Sequence, residues 1–400
     1  MHATDPTPRP PEPLAGRRIW FVGIGGAGLS SYAFLARAWG AEVGGWDRVD
    51  TPYLALLEGV EVVIAPEPVV PDGWEVVVST AYADRVSGRP RAEFLSELVS
   101  LRRSIVVSGT HGKTTTSGMI AFVLAELGHD PAWLVGGELP QLGGNAGAGE
   151  GWLVVEGDES DRTVEVLRPE IAVVTNVELD HHATFASRAE VQALFDGWLA
   201  QVPKVVRGWE LEAVPLELAM PGDHNRRNAA AALAALELAG IARRDAEPVL
   251  ARFRGSRRRY ELVGEAGGVA VVDDYAHHPS EIAAAIAAAR EHTSGRVLVL
   301  FQPHLYSRTR HLAHEFGRAL SGADAVCVTE IYRAREEPIP GVGGKLVLDA
   351  LPPGLRAGWA PGVGEGAALV SGWARPGDLV LTLGAGDVER AGALILEALS

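Results

Sequence analysis

Cysteine is almost absent from this chain. The single one, Cys327, cannot form an internal disulfide, and its place in the apolar run AVCVTE marks it as a small buried side chain. Long apolar runs are missing too. No stretch reaches the ~18 residues that a membrane-spanning helix needs, and no basic-then-apolar signal opens the chain. The expectation is a cytoplasmic protein with no membrane insertion. Positive charge is in deficit, with a net charge of −15. That excludes a general binder of nucleic acid or of membrane surfaces, and an anionic substrate would need locally basic pockets. What remains, 47% apolar and 22% charged residues, is the composition of an ordinary soluble protein. Four hundred residues suffice for two to four domains. The Pro-rich residues 1–14 are expected to form a disordered tail.

The most informative stretch is SIVVSGTHGKTTTSGM, residues 104–119. A short apolar strand runs into a glycine turn and then a helix start carrying Lys113, Thr114, Thr115 and Thr116. Backbone N–H groups at a helix start point at an anion, and glycines let the main chain approach it. Lys113 can reach the β- and γ-phosphates, and the Thr114 hydroxyl can hold Mg²⁺. The full phosphate-loop pattern has a glycine where Val107 stands, so this is a shortened loop, Gly109-Thr110-His111-Gly112-Lys113-Thr114-Thr115.

Upstream, the strand RRIWFV (17–22) precedes Gly23-Ile24-Gly25-Gly26-Ala27-Gly28, an apolar helix and a second strand ending on Asp47. This is G-x-G-x-x-G with an acidic residue about twenty positions later, which suits a nucleotide of either the NAD or another kind, or a bare turn. Residues 15–103 read as one small parallel α/β domain. Downstream, 135–151 reads as a Gly-rich connection. The strand WLVVE ends on Glu156 and leads into GDESD, and a strand over 171–182 ends in acidic residues and His181. Carboxylates at such ends suit Mg²⁺, which prefers oxygen ligands. Asn225 and Asn228 lie on the first turn of a helix over 222–239. There they could clamp a purine edge or cap the helix. Arg257, Arg258 and Arg259 form either a surface charge run or a phosphate clamp. The last third repeats the strand-then-helix rhythm in DDYAHHPSE (273–281) and FQPHLYSRTR (301–310), and a second parallel sheet is expected there.

Taken together, these motifs resemble those of the Mur ligase family, closest to its alanine-adding branch. The matches are GIGGAGLS, SGTHGKTTT, EGDESD, TNVELDHH, GDHNRRNAAAA, GSRRRYE, DDYAHHPSE, FQPHLYSRTR, YRAREEPIPG and GAGD, in family order. The resemblance implies an α/β fold of three domains. They are a Rossmann-like UDP-sugar domain (15–103), a central P-loop-type ATPase domain with a parallel sheet (104–256) and a Rossmann-like amino-acid-binding domain (257–400). It implies ATP and Mg²⁺ as cofactors, UDP-N-acetylmuramate and L-alanine as substrates, and a monomer or weak dimer.

By the same resemblance, Gly23, Gly25, Gly26, Ala27, Gly28 and Asp47 would hold the UDP-sugar. The loop Gly109–Thr115 with Asn225, Asn228 and Arg258 would hold ATP. Thr114, Glu156 and His181 would hold metal, and Tyr275, His277, Arg308 and Arg310 the amino acid. Lys113, His181, His277, Arg308 and Arg310 would serve catalysis through an acyl phosphate. Forty residues separate His182 from Asp223. The family has a longer segment there, so a trimmed central domain is expected. Two rival readings are a ligase that reattaches a recycled tripeptide and a non-catalytic scaffold.

Overall fold

The computed structural model describes residues 12–181, 184–334 and 336–400. The chain divides into two compact units. The first is built from residues up to Val177 with Ala189–Leu211 and Ala230–Leu250, and the second from Glu178–Arg188, Glu212–Ala229 and Ala251–Ser400.

The first unit holds two sheets. One contains β1 (Arg18–Val22), β2 (Glu42–Asp47), β3 (Glu61–Ile64), β4 (Glu75–Val78) and β5 (Arg89–Pro90), with α1 (Ala27–Ala38) and α2 (Arg91–Leu101) as helices. Its strands are all parallel in the order β3-β2-β1-β4-β5. A central parallel strand is covered on both faces and so reads as a continuous apolar run, as the sequence of β1 does. Trp20 and Val22 pack with Trp46 and Val78 on one side of it. On the other, Phe21 meets Phe94 of α2 edge-on, with ring centroids 5.4 Å apart.

The next sheet contains β6 (Ser104–Ser108), β7 (Ala132–Leu139), β8 (Gly144–Gly147), β9 (Leu153–Glu156), β10 (Ile171–Val174) and β11 (Lys204–Arg207). Its helices are α3 (Lys113–Glu126) and α4 (Arg188–Leu199), followed by α5 (Asp223–Leu238) and α6 (Arg243–Leu250). The order is β11-β10-β6-β9-β7-β8. β6 lies between β10 and β9, in a register that pairs Val107 with Glu156 and Ser108 with Val174. The C-terminal ends of three parallel strands therefore open side by side, where open α/β sheets bind ligands.

The second unit is built on β12 (Glu261–Ala266), β13 (Val269–Asp274), β14 (Val297–Phe301), β15 (Ala325–Val328), β16 (Arg356–Trp359) and β17 (Leu379–Leu383). Between them run α7 (Pro279–His292), α8 (Tyr306–Leu320), α9 (Lys345–Asp349) and α10 (Val363–Ser371), with α11 (Ala391–Leu399) closing the chain. The order is β12-β13-β17-β14-β15-β16, and two apolar clusters cover the sheet. One gathers Val299, Phe301 and Leu381, and the other Leu298, Leu300 and Val380, so alternate residues of one strand feed opposite faces. Cys327 is fully buried in the second cluster.

The mixed α/β architecture with three parallel-rich sheets is the one expected, with four differences of detail. The Gly-rich connection expected over 135–151 contains the antiparallel pair β7–β8, whose glycines admit close approach: a Cβ on Gly147 would lie 2.2 Å from the Trp133 ring. The sheet of the second unit carries an antiparallel edge strand, β12. The strand expected over 171–182 stops at Val174, because Thr175 turns its hydroxyl back onto the Ser108 and His111 carbonyls. His182, the last residue of that expected strand, lies outside the described residues. So do residues 1–11 of the expected tail, whereas Leu14 is fully buried and its N–H donates to the Trp39 carbonyl. Among the described residues no helix is long and apolar enough to cross a membrane.

Leu14→Ala is therefore expected to cost about 2–4 kcal/mol, the range for a leucine truncated in a packed site. Urea unfolding checks this. A loss below about 0.5 kcal/mol, typical of a surface change, would return Leu14 to the tail.

Candidate active site

In the first unit the chain leaves β6 through Gly109 at φ +122°, a conformation that strains any side chain. A Cβ there would also lie 2.3 Å from Thr175 Oγ1. The turn is fixed from the end of β10. His111 N–H donates to Asn176 Oδ1 (2.9 Å), while Asn176 Nδ2 and Thr175 Oγ1 both donate to the His111 carbonyl (2.9 and 2.5 Å). Gly112 is the N-cap of α3, and the helix starts on Lys113. Its first amide groups thus open where the loop ends, an arrangement suited to a polyphosphate.

Lys113 Nζ donates to the carbonyls of Gly109 (2.7 Å) and Thr110 (3.2 Å), and lies 3.1–3.2 Å from both oxygens of Glu159. Burial disfavours the charged lysine, but Glu159, then Glu156 and Asp158, hold its pKa above the ordinary value. Glu159 is buried and pushed up to about 7 by desolvation, against the pull of Lys113 and with help from Asp158. Beside them, Thr114 Oγ1 donates to Glu156 Oε2 (2.9 Å), which also accepts the Gly136 N–H (2.7 Å). A Cβ on Gly136 would come within 2.9 Å of both Glu156 oxygens, so this small cradle needs glycine opposite the carboxylate. A hydroxyl and a carboxylate together form a hard-oxygen donor set that fits Mg²⁺.

The first glycine turn carries its own anion. Asp47 Oδ2 accepts the Gly25 N–H (2.8 Å) and Oδ1 the Arg48 N–H (2.7 Å), while Thr51 Oγ1 donates to the Gly25 carbonyl (2.7 Å). Gly23 has φ +87°, Gly26 is the N-cap of α1, and Ala27 opens the helix. A Cβ on Gly28 would sit 3.2 Å from the Arg91 guanidinium, which donates to Asp161 Oδ2 (2.6 Å).

In the second unit, Arg308 is buried and makes a two-pronged pair with Asp180 (3.1–3.2 Å). Burial opposes the Asp180 charge, but Arg308, then His181 and His277, hold its pKa well below the usual carboxylate range. Arg308 also lies 3.2 Å from His304 Nδ1. A guanidinium only donates, so that nitrogen accepts. His277 Nδ1 lies 3.0 Å from the Tyr275 carbonyl, which only accepts, so this nitrogen carries the hydrogen. The Tyr275 and His277 rings meet edge-on at 5.3 Å, and His304 stacks on Tyr332 at 5.8 Å. His181 at φ +53° and Leu305 at φ +71° hold left-handed backbone beside these groups. Non-glycine residues in such conformations concentrate at functional sites.

The structure thus gathers Lys113, Thr114, Glu156 and the loop Gly109–Thr115 in one unit. It gathers His181, Tyr275, His277 and Arg308 in the other. Arg310 is exposed and lies 3.4 Å from His311. Asn225 donates to the Pro221 carbonyl (2.6 Å), and Asn228 Nδ2 lies 3.5 Å from Asn225 Oδ1. Arg258 binds Asp273 (2.8 Å) and the carbonyls of Gly384 and Gly386 (2.7 and 3.2 Å), tying the end of β13 to the GAGD turn. Sequence reasoning missed Glu159 and Asp180. Both lie in motifs quoted above, and only contacts spanning 46 and 128 residues single them out.

A family model described as Mur ligase middle domain matches residues 107–206, and one described as Mur ligase, glutamate ligase domain, matches residues 258–386. The chain is similar to the UDP-N-acetylmuramate–L-alanine ligase of Streptomyces coelicolor, 39% identical with 98% of this chain and 99% of the relative covered. That alignment runs over 466 positions, so the relative carries segments that this chain lacks. The protein of the same name from Rubrobacter xylanophilus is 40% identical, covering 96% of this chain and all of the relative. Among solved structures, the UDP-N-acetylmuramate-alanine ligase of Thermotoga maritima aligns with TM-score 0.77 and 26% identity over 95% of this chain and 98% of that one. A murein peptide ligase from Psychrobacter arcticus shares the fold, with TM-score 0.63 and 24% identity over 96% of this chain and 99% of that one.

Burial, helped by nearby arginines, lowers three histidines of the second unit from 6.5: His224 and His304 to about 4, His277 to about 3. The unfolded chain therefore binds more protons below pH 6.5, and the stability these groups contribute above it is lost as pH falls. Asp274, raised by burial to about 6, and Glu159, raised to about 7, work the other way, but they are two groups against three. Each unbalanced proton tilts stability by about 1.4 kcal/mol per pH unit. Urea unfolding at intervals between pH 7 and pH 5 should show falling stability, and His304→Gln should flatten the slope. A flat wild-type profile would contradict the buried neutral state of these rings.

Proposed function

The chain belongs to the Mur ligase family, and from that premise we propose that it joins L-alanine to the carboxylate of UDP-N-acetylmuramate with conversion of ATP to ADP and phosphate. What carries the reading is the Lys113–Thr114–Glu156 cradle at the start of α3, on a chain that aligns along its whole length with proteins named for that ligation. A carboxylate is a poor acyl donor. Bound ATP supplies the phosphoryl group that activates it as an acyl phosphate, and Mg²⁺ neutralises phosphate charge.

The chain's own residues position and neutralise. The α3 amides and Lys113 receive the polyphosphate, with the loop held in shape by Thr175 and Asn176. Thr114 and Glu156 would hold one Mg²⁺, and His181 would help hold a second. The α1 turn from Gly23 to Gly28 receives the diphosphate of the sugar nucleotide, and Asp47 fixes the turn. Asn225 and Asn228 contact adenine, and Tyr275, His277, Arg308 and Arg310 line the amino-acid site. The Arg308 fork is engaged by Asp180, which orients it, while Arg258 acts by shaping the GAGD turn.

Phosphate release should require both UDP-N-acetylmuramate and L-alanine. Release with a tripeptide acceptor but not alanine would replace this reading by the recycling ligase. ATP binding without release for any acceptor would replace it by the scaffold.

Lys113→Ala should lower kcat at least about 100-fold, the scale for losing one charge-stabilising group, in a chain that still folds. Wild-type turnover would remove the loop from the reaction. Arg308→Lys should cost at least about tenfold, because a point ammonium cannot replace a planar fork facing a carboxylate. Steady-state kinetics at saturating alanine measure it, and unchanged rates would take Arg308 out of the site.

A further inference from the structure

Glu159 has no part in the reaction just described, yet it is the carboxylate that pairs with the lysine of the phosphate loop. An ammonium has three hydrogen-bond donors. Those of Lys113 are committed to the Gly109 carbonyl, the Thr110 carbonyl and Glu159. A terminal phosphate can reach Lys113 only by displacing one of these acceptors. The two carbonyls belong to a backbone turn pinned by Thr175 and Asn176, so they are costly to move. The Glu159 carboxylate is a side chain of the same chemical class as a phosphoryl oxygen: an anionic acceptor at hydrogen-bond distance. It is also deeply placed, its side chain 2% exposed against 16% for that of Lys113. Breaking a buried pair by removing one partner strands the other charge. Without Glu159 the free enzyme would therefore hold an uncompensated ammonium in its loop.

We propose that Glu159 is a positioning residue, a placeholder anion that keeps Lys113 charged and aimed at the loop until the terminal phosphate of ATP takes its place. The proposal rests on the reading of the loop as an ATP site. The placeholder competes with the nucleotide for one donor, so removing its charge destabilises the free state and leaves the bound state untouched.

The test uses the full chain carrying Glu159→Gln, which keeps the shape and removes the charge. ATP and ADP affinities are measured calorimetrically with Mg²⁺ at about pH 8, above the Glu159 pKa of about 7 so that the carboxyl is ionised, and Tm with and without nucleotide. ATP should bind about tenfold tighter than to the wild type. The gain should be smaller for ADP, which lacks the terminal phosphate. Tm of the free protein should fall, ATP should raise it more than in the wild type, and KM for ATP should drop without a matching rise in kcat. In a Lys113→Ala background, Glu159→Gln should leave ATP affinity unchanged.

A lower Tm with unchanged ATP affinity would assign Glu159 a structural role and overturn the proposal. So would weaker ATP binding, which would make it a nucleotide-supporting group. If Glu159→Gln does not fold, Glu159→Asp, which withdraws the charge by one methylene, should show a smaller tightening, and unchanged affinity there overturns the proposal equally. A wild type that binds no ATP would remove the ligase reading and this inference together. ATP binding that is identical in wild type and variant removes this inference alone.

Discussion

An ammonium group kept charged out of water is the constraint around which the first unit is arranged. Lys113 cannot stand there alone, because desolvation disfavours its charge. It is held by two backbone carbonyls of its own turn and by Glu159, with Glu156 and Asp158 adding to the field. The carbonyls are available only because Gly109 bends the chain through a left-handed conformation. The bend is stable because Thr175 and Asn176, one strand away, hold the turn at His111. Removing any of these supports exposes the same weakness, a cation without partners.

Sheet order makes those supports neighbours. In a parallel sheet all strands deliver their C-terminal ends to one edge, and β6 lies between β9 and β10. Glu156 at the end of β9 and Thr175 just beyond β10 therefore arrive on either side of the loop without any long connection reaching across. The second unit repeats the arrangement. Asp274 ends β13, Gln302 follows β14, and Gly384 follows β17, so the turn tied down by Arg258 gathers the ends of adjacent strands. There a two-pronged ion pair, Arg308 with Asp180, is the buried element, and His277 and His304 beside it are kept neutral by burial. A neutral imidazole offers one donor and one acceptor, so each ring has a fixed hydrogen-bonding sense.

Most of the fold could be read from local pattern. Strand, glycine turn and helix start coincide at residues 104–119. Strands β1, β2, β9, β13 and β14 are short apolar runs whose ends carry polar residues. The β7–β8 hairpin was hidden because its glycines imitate a loop. The Trp133 ring that requires Gly147 lies fourteen residues away and leaves no periodic trace. Leu14 was hidden by its prolines: composition marked a tail, and one leucine docking near Trp39 is too small a signal to set against it. At the site, residue types were legible but pairings were not. GDESD displays its carboxylates in a row, and nothing in the row says that Glu159 turns to Lys113 while Asp161 turns to Arg91. Arg258 stood in a run of three arginines, and only the fold shows that it holds the GAGD turn.

These pairings also explain how a chain of net charge −15 can accommodate anions. Net charge acts at long range and is screened within ~8–10 Å at ordinary ionic strength, whereas a bound phosphate responds to donors a few ångströms away. The chain has only three lysines, Lys113, Lys204 and Lys345. Lys204 pairs with Glu170, and Lys345 lies over the Trp359 ring. Several arginines near the strand ends are already matched to carboxylates: Arg91 to Asp161, Arg258 to Asp273 and Arg308 to Asp180. Positive potential for a phosphate is therefore built mainly from helix-start amides and one lysine, groups whose position the backbone dictates. The abundant carboxylates do not defeat this, because those nearest the loop are already engaged, Glu159 by Lys113 and Glu156 by Thr114 and the Gly136 N–H. An acidic protein gains selectivity this way, since an anion finds favourable donors only where the backbone has aimed them.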